Sequence, residues 1–472
     1  MPKIVNSYLI FDFFLGCSDF RISRVRAYFD EMEKRGALES ENKSKLVNFS
    51  LYYIQRRLTF DYIMKKYIVR DMVFKKNAAL TQRVVSLALA MCYFQNNCEN
   101  VLSELKILIR QYQNGAMAST LVIILNNFLE KTGFTLPEVK FKDDASLYSF
   151  RYSCPRELCA HLIGDIGAEN VREMLEGSLV PPIVHFRLNT TILHNQKLRD
   201  EFVAGFSEKY FTVLKKPFPG YPFYSCDRNS FNFTLTSLSE FRSGLITPMG
   251  MSAYLAAYII GAKGDELVFD ACASPGNKTT HLAEVTSMSS RIIACDLSDS
   301  KVAKITENVD RLKLRNVFTY TGSSQFVKAS DIRNKFNSIG DSDELFDKIM
   351  LDAPCSGLGL LRNRVELKYR FDVSDLVKMP DTQFPILQNV SRLLKRGGSL
   401  LYSTCTMNKK ENSGLIARFL SENKDFKVVS LERDFAGFGH DFNLLDADYR
   451  FAQIIPDSSG AEGFFYALLR RE

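Results

Sequence analysis

DELVFDACASPGNKTTHLAEVT (265–286) is the stretch that decides the fold. Its first seven residues, DELVFDA (265–271), form a short apolar run of the buried-strand type. Pro275 and Gly276 then force a tight turn, and KTTHLAEVT (278–286) carries a helical pattern. Strand, tight turn and helix in this order open a doubly wound α/β sheet, in which ligands bind beyond the carboxyl ends of the strands. The start of such a helix offers unpaired backbone N–H groups and a positive dipole end, suited to a carboxylate or a phosphate.

Further strand-like runs follow at RIIACD (291–296), FDKIMLD (346–352) and GSLLYST (398–404), with helical segments at 300–314 and 382–395 between them. This alternation predicts a parallel sheet covered by helices on both faces, spanning 236–472. Asp296 ends the second strand roughly 20 residues beyond the turn, where a carboxylate can accept hydrogen bonds from ribose hydroxyls. Neither GxGxxG nor GxxxxGK[ST] is present, so neither a dinucleotide nor a Walker-type nucleotide is indicated. A small ribose-bearing ligand with a carboxylate fits, and S-adenosyl-L-methionine is one. A generic tight turn of an α/β protein fits the same residues.

Upstream the pattern is different. Apolar residues recur at helical spacing in 45–68, 81–94 and 101–112, which predicts an all-α domain over 1–140. Residues 141–235 read as a small α+β linker domain: two short helices around a glycine in 155–177, then a strand in PPIVHFRLNT (181–190). Charge is unevenly placed. Residues 1–142 hold 21 Lys and Arg against 13 Asp and Glu, whereas the remainder is near neutral within a net +7. A basic module beside a neutral one suits an anionic partner held by the first while chemistry proceeds in the second; solvated helix faces give the same count.

Two more strand ends carry thiols. One reads Asp352-Ala353-Pro354-Cys355-Ser356-Gly357, the other Ser403-Thr404-Cys405-Thr406. The ten cysteines include no CxxC pair, so neither a disulfide framework nor a zinc site is indicated, and no metal is expected. Two thiols, an aspartate and a methyl donor on one rim suit one reaction in particular. Carbon 5 of cytosine is a poor nucleophile until a thiolate adds at carbon 6. An acid near ring nitrogen 3, a role for Asp352, takes up the developing charge. A second thiol can assist release, and the base must leave its stack to reach the site.

DACASPGNKTTHL, IMLDAPCSGLGLLRN, LKRGGSLLYSTCTMNKKEN and the ending GFFYALLRRE resemble the RsmB/Sun (NSUN-type) family of RNA 5-methylcytosine methyltransferases. The segment SCPRELCAHLIGDIGAENV…PPIVHFRLNT resembles the region preceding the catalytic domain in that family, and SENKSKLVNFSLYYIQRRLTFDYI (40–63) resembles, more loosely, its NusB-type RNA-binding domain. The resemblance implies a Rossmann-like class I methyltransferase domain behind a NusB-like helical domain and a small α+β domain. It implies S-adenosyl-L-methionine as cofactor and small-subunit (16S) ribosomal RNA as substrate. It makes Cys405 the nucleophile and Cys355 the thiol of product release, with Asp352 and Lys278 at the reacting base. Cys272, Ala273, Ser274, Pro275, Gly276, Asn277 and Lys278 would hold the methionine end of the cofactor, with Asp296 at the ribose and Ser323 and Asp352 nearby. Arg362, Arg364 and Lys368 are candidates for RNA phosphates.

The chain departs from the family pattern at three places. Asn277 replaces a second glycine in the turn, Gly322-Ser323 stands where Gly-Asp is usual, and Pro248-Met249-Gly250 stands where many members have Gln-Asp. These changes bear on cofactor affinity more than on reaction type. His281 reads as a helix residue behind the turn. The whole reads as a cytoplasmic monomer without leader or membrane segment, its partner an RNA. Methylation of another RNA such as transfer RNA, or a non-catalytic RNA-binding role, remains open.

Overall fold

The computed structural model describes residues 7–16, 21–70, 72, 77–111, 113–210, 214–227, 234–336, 342–370, 372–445, 449–457 and 459–472. They gather into two compact units. One comprises residues 1–164 and 363–372, the other 165–362 and 373–472.

The first unit is helical, as its spacing predicts. Helices span Ser7–Gly16, Ile22–Lys34, Ser40–Ile63, Ala78–Gln95, Glu99–Arg110, Gly115–Thr132 and Asp144–Tyr152. Ala78–Gln95 is buried along an unbroken run from Val84 to Cys92, including the small residues Ser86, Ala88 and Ala90. A helix that is apolar all round belongs in the middle of a bundle. Segment 363–372 joins this unit although it lies far downstream. There Val365 packs into the helical core, and Tyr369 donates its hydroxyl to Ile54 O at 2.8 Å.

The second unit contains a small antiparallel sheet and a large mixed one. The strands are β1 (Ile183–Leu188), β2 (Phe223–Asp227), β3 (Ile246–Pro248), β4 (Leu267–Asp270), β5 (Arg291–Asp296), β6 (Val317–Thr321), β7 (Phe346–Asp352), β8 (Leu394–Thr404), β9 (Phe426–Val429), β10 (Ala452–Ile454) and β11 (Phe464–Arg471). The small sheet has the order β2-β1-β3. The large sheet runs β10-β11-β8-β7-β4-β5-β6, with β9 also on β11. β4 to β8 are parallel, as the alternation of strands and helices predicts. The last three strands are not. GFFYALLRRE supplies an apolar strand, β11, that lies antiparallel to β8 and accepts β9 and β10 antiparallel on its other side. The helix expected over 382–395 also differs: it runs Val373–Arg392 with Pro380 and Pro385 inside it, and β8 begins at Leu394.

A buried ion pair fastens the small sheet to the helix that starts at the cofactor-type turn. Arg187, on β1, pairs with Glu284 and reaches Thr280 Oγ1 at 3.0 Å, both on helix Asn277–Val285. Arg187 and Glu284 are inaccessible to solvent. Burial pushes the Glu284 carboxyl up, opposed by the Arg187 guanidinium.

Candidate active site

The order of the parallel strands reverses at β4, with β5 and β6 on one side and β7 and β8 on the other. Open α/β sheets bind ligands at this switch point. The carboxyl ends of β4, β5, β7 and β8 bring the turn, Asp296, Asp352, Cys355 and Cys405 to one rim.

The turn after β4 is held from β5. Asp296 Oδ2 accepts from the Ser274 N–H at 2.9 Å, while its Oδ1 accepts from Leu297 N at 2.7 Å and Lys301 Nζ at 2.9 Å. Ala273 N donates to Cys295 O at 2.9 Å. Gly276 has φ 101°, a conformation that glycine adopts without strain. Asn277 opens the helix and needs no left-handed backbone, so the missing second glycine costs the turn nothing. Its side chain reaches toward Pro248 O at 3.4 Å. At Gly250, in the departing Pro248-Met249-Gly250 segment, a Cβ would meet Glu462 Oε1 at 2.0 Å, so a larger residue there must displace that carboxylate.

This rim suits the cofactor that the family resemblance implies. The first N–H groups of helix Asn277–Val285 have no intrahelical carbonyl and can receive a carboxylate. Asp296 retains acceptor capacity for hydroxyls. Leu297, 66% exposed, and Phe326, 69% exposed, offer apolar surface beside the ends of β5 and β6. Ser323 follows β6, and its backbone carbonyl accepts from Phe326 and Val327. Burial pushes the Cys272 thiol well up, so it is a protonated wall residue. His281 is buried and stacks on Tyr254 at 4.2 Å, and burial pushes its pKa down, consistent with a helix residue behind the turn.

β7 and β8 pair in register with Asp352 opposite Ser403. Cys355 Sγ and Cys405 Sγ lie 3.3 Å apart. Lys278 Nζ reaches Asp352 Oδ2 at 2.6 Å, and Ser403 Oγ donates to Asp352 Oδ1 at 3.0 Å. The contact with Cys405, together with burial, pushes the Cys355 thiol well up, so Cys355 keeps its proton at neutral pH.

The residue that sequence reading missed is Glu411. It is inaccessible to solvent and accepts from Ser356 N at 3.0 Å, Ser356 Oγ at 2.5 Å, Gln383 Nε2 at 2.8 Å and Asn408 Nδ2 at 2.9 Å. Its place in the charged string NKKEN (408–412) reads as a solvated helix start; only the neighbouring Thr and Asn hint at a buried polar network.

The three RNA candidates fall in different units. Lys368 belongs to the helical unit and is fully buried, donating to Gln55 O at 2.8 Å and Tyr152 O at 2.9 Å, so it is not free for a phosphate. Arg362 belongs to the other unit and spends its guanidinium on Pro181 O and Asp457 O, at 3.2–3.3 Å. Arg364 is half-exposed and lies 3.7 Å from Glu366. Among the described residues no group of three or more His, Cys, Asp or Glu could hold a metal ion, and no helix is long and apolar enough to cross a membrane.

The family model described as 16S rRNA methyltransferase RsmB/F matches residues 257–470, which contain both thiols and the turn. A Bacillus subtilis protein named "Probable ribosomal RNA small subunit methyltransferase B" is 26% identical over 93% of this chain and 93% of its own length. The ribosomal RNA small subunit methyltransferase B of Sodalis glossinidius is 33% identical over 50% of this chain, and the chain spans 48% of that protein. The crystal structure of PH0851 shares the fold with a TM-score of 0.71 at 20% identity, over 95% of this chain and 97% of its own. The thiol-bearing strand ends and the turn lie inside the matched region, so it is residues 257–470 that are similar to the RsmB/F methyltransferases.

Proposed function

We propose that the protein methylates carbon 5 of a cytosine in small-subunit ribosomal RNA, using S-adenosyl-L-methionine. The observation that carries this reading is the 3.3 Å approach of Cys355 and Cys405 beside the Lys278–Asp352 pair. The substrate class comes from the description of the family model matched at 257–470 and from the name of a relative aligned over nearly the whole chain.

Cys405 adds to carbon 6 of the extruded base, and the ring electrons move toward carbon 5 and nitrogen 3. Asp352 and Lys278 hold a proton between them where the charge at nitrogen 3 develops. The cofactor, when bound, supplies an electrophilic methyl group. After carbon 5 is methylated, solvent water takes the carbon 5 proton, the electrons of that C–H bond restore the 5,6 double bond, and the carbon 6–sulfur electron pair returns to Cys405. Cys355, which keeps its proton, donates a hydrogen bond to that departing sulfur. In this reading Cys405 is the attacking sulfur, the role the family resemblance gives it, and the Cys355 thiol is pushed up by its contact with Cys405 and by burial.

The test uses unmodified small-subunit ribosomal RNA, S-adenosyl-L-methionine and three proteins: wild type, Cys405→Ala and Cys355→Ala. Bisulfite sequencing maps 5-methylcytosine, and denaturing gels reveal protein–RNA adducts. Expected are one new methylcytosine with wild type, none with Cys405→Ala, and an accumulated adduct with Cys355→Ala. Methylation of transfer RNA instead would move the substrate. Failure of the cofactor to bind, with no methylation, would leave an RNA-binding role.

A further inference from the structure

We propose that Glu411 is a positioning residue that sets the spacing of the two sulfurs, a role whose catalytic meaning rests on the two-thiol reading above. Cys355 and Cys405 sit on separate loops, and few backbone bonds join those loops beyond the sheet: Ala353 N to Ser403 O and Gly359 N to Cys405 O, both 2.9 Å. Several side-chain ties converge on one carboxylate. Glu411 Oε2 takes the Ser356 N–H and the Gln383 amide; Glu411 Oε1 takes the Ser356 hydroxyl and the Asn408 amide. Gln383 also donates to Pro354 O at 2.9 Å. With the Ser356 hydroxyl donating to Glu411, Thr406 donates to Ser356 Oγ across 2.6 Å. Ser356 is thus bonded to Glu411 directly, Pro354 shares Gln383 with it, and Thr406 reaches it through Ser356 Oγ while Asn412 Nδ2 holds the Thr406 carbonyl at 2.9 Å.

The chemistry of that anchor is specific. A carboxylate accepts only, and here it receives four N–H or O–H donors inside a site without water access. A glutamine of the same shape would turn an NH2 toward at least one pair of those donors. The loops could then separate while the sheet beneath them stays paired. Glu411 does not touch either sulfur, so its effect passes through Ser356 and Thr406. The step most exposed to a change in spacing is release, where the Cys355 thiol must meet the sulfur of Cys405.

The experiment reads the spacing without RNA or cofactor. Wild type, Glu411→Gln and Ser356→Ala are oxidised with diamide, and the Cys355–Cys405 linked peptide is followed by mass spectrometry. Cooperative thermal unfolding serves as the control for folding. Linking is expected to be about tenfold slower in Glu411→Gln, with a smaller slowing in Ser356→Ala, which keeps its backbone N–H bond. With RNA and cofactor, Glu411→Gln is expected to accumulate the covalent adduct; a general structural defect would lose adduct and methylation together. Wild-type linking rates in a folded Glu411→Gln overturn the proposal. If that variant does not fold, a wild-type rate in Ser356→Ala overturns it. Slower linking in the variants, combined with a wild type that makes no methylcytosine, supports the spacing role and defeats the two-thiol function.

Discussion

Lys278 Nζ sits 2.6 Å from Asp352 Oδ2 and 5.0 Å from the centre of the Phe464 ring. Burial works against the ammonium, but the Asp352 carboxylate outweighs it and the lysine pKa ends above its ordinary value. The pair therefore carries its proton through the neutral range. Asp352→Asn is expected to lower the single-turnover methylation rate by about 10²–10⁴, the usual worth of a positioned proton-transfer group. Lys278→Met is expected to lower it in the same direction, with RNA binding unchanged. Rapid-quench methyl transfer on unmodified RNA checks both.

Asp296 holds the turn, and the proposed function has it accept ribose hydroxyls. Asp296→Asn keeps the shape but replaces an acceptor with a donor facing the Ser274 N–H or Lys301. Cofactor affinity is expected to fall at least about tenfold, in line with an unpaired polar group at a binding site. Titration calorimetry with S-adenosylhomocysteine measures it, and an unchanged Kd would remove Asp296 from the cofactor site.

The Arg187–Glu284 pair predicts a non-additive pattern of stability. Removing either partner leaves a buried charge alone and is expected to cost about 3–5 kcal/mol. Arg187→Met combined with Glu284→Leu is expected to recover most of that loss, because the double variant buries no charge. Urea unfolding of the two single variants and the double variant gives the coupling directly.

Lys368 predicts a pH dependence. Burial pulls its pKa down from 10.5 to about 7. Between about 7 and 10.5 the unfolded chain binds a proton that the folded one does not, so stability rises with pH across that window and is flat below it. Relative to Lys368→Met, the wild-type protein is expected to gain up to about 1.4 kcal/mol per pH unit from pH 7 upward. Calorimetric scans at pH 7, 8 and 9 would show parallel curves if the amine stayed charged.

The grouping of the candidate residues on one rim was legible because it depends on local sequence. Asp296 and Asp352 end short apolar strands, Cys405 directly follows one and Cys355 lies three residues beyond one, and parallel strands place their ends together. What could not be read depends on contacts distant in sequence. Glu411 looks like one charge among several in NKKEN, and only the fold shows Ser356, 55 residues upstream, donating to it. Lys368 lies six residues beyond Arg362 in a basic stretch, yet its donors go to carbonyls of Gln55 and Tyr152, more than 200 residues away. Pro380 and Pro385 hid the first half of helix Val373–Arg392, because proline ordinarily stops a helix. The antiparallel strands were obscured because an apolar run gives no sign of its direction.

Segment 363–372 has a consequence for the order of synthesis. Domains emerging from the ribosome generally fold as units, the N-terminal one first. Here the helical unit is incomplete when residue 164 appears, since Val365, Lys368 and Tyr369 are still unmade. The carbonyls of Ile54, Gln55 and Tyr152 must wait, exposed or otherwise engaged, while the chain up to residue 362 is synthesised. The unit that starts first is thus closed only after the Cys355 loop has left the ribosome, and a nascent chain halted before residue 363 carries a helical bundle with an open seam.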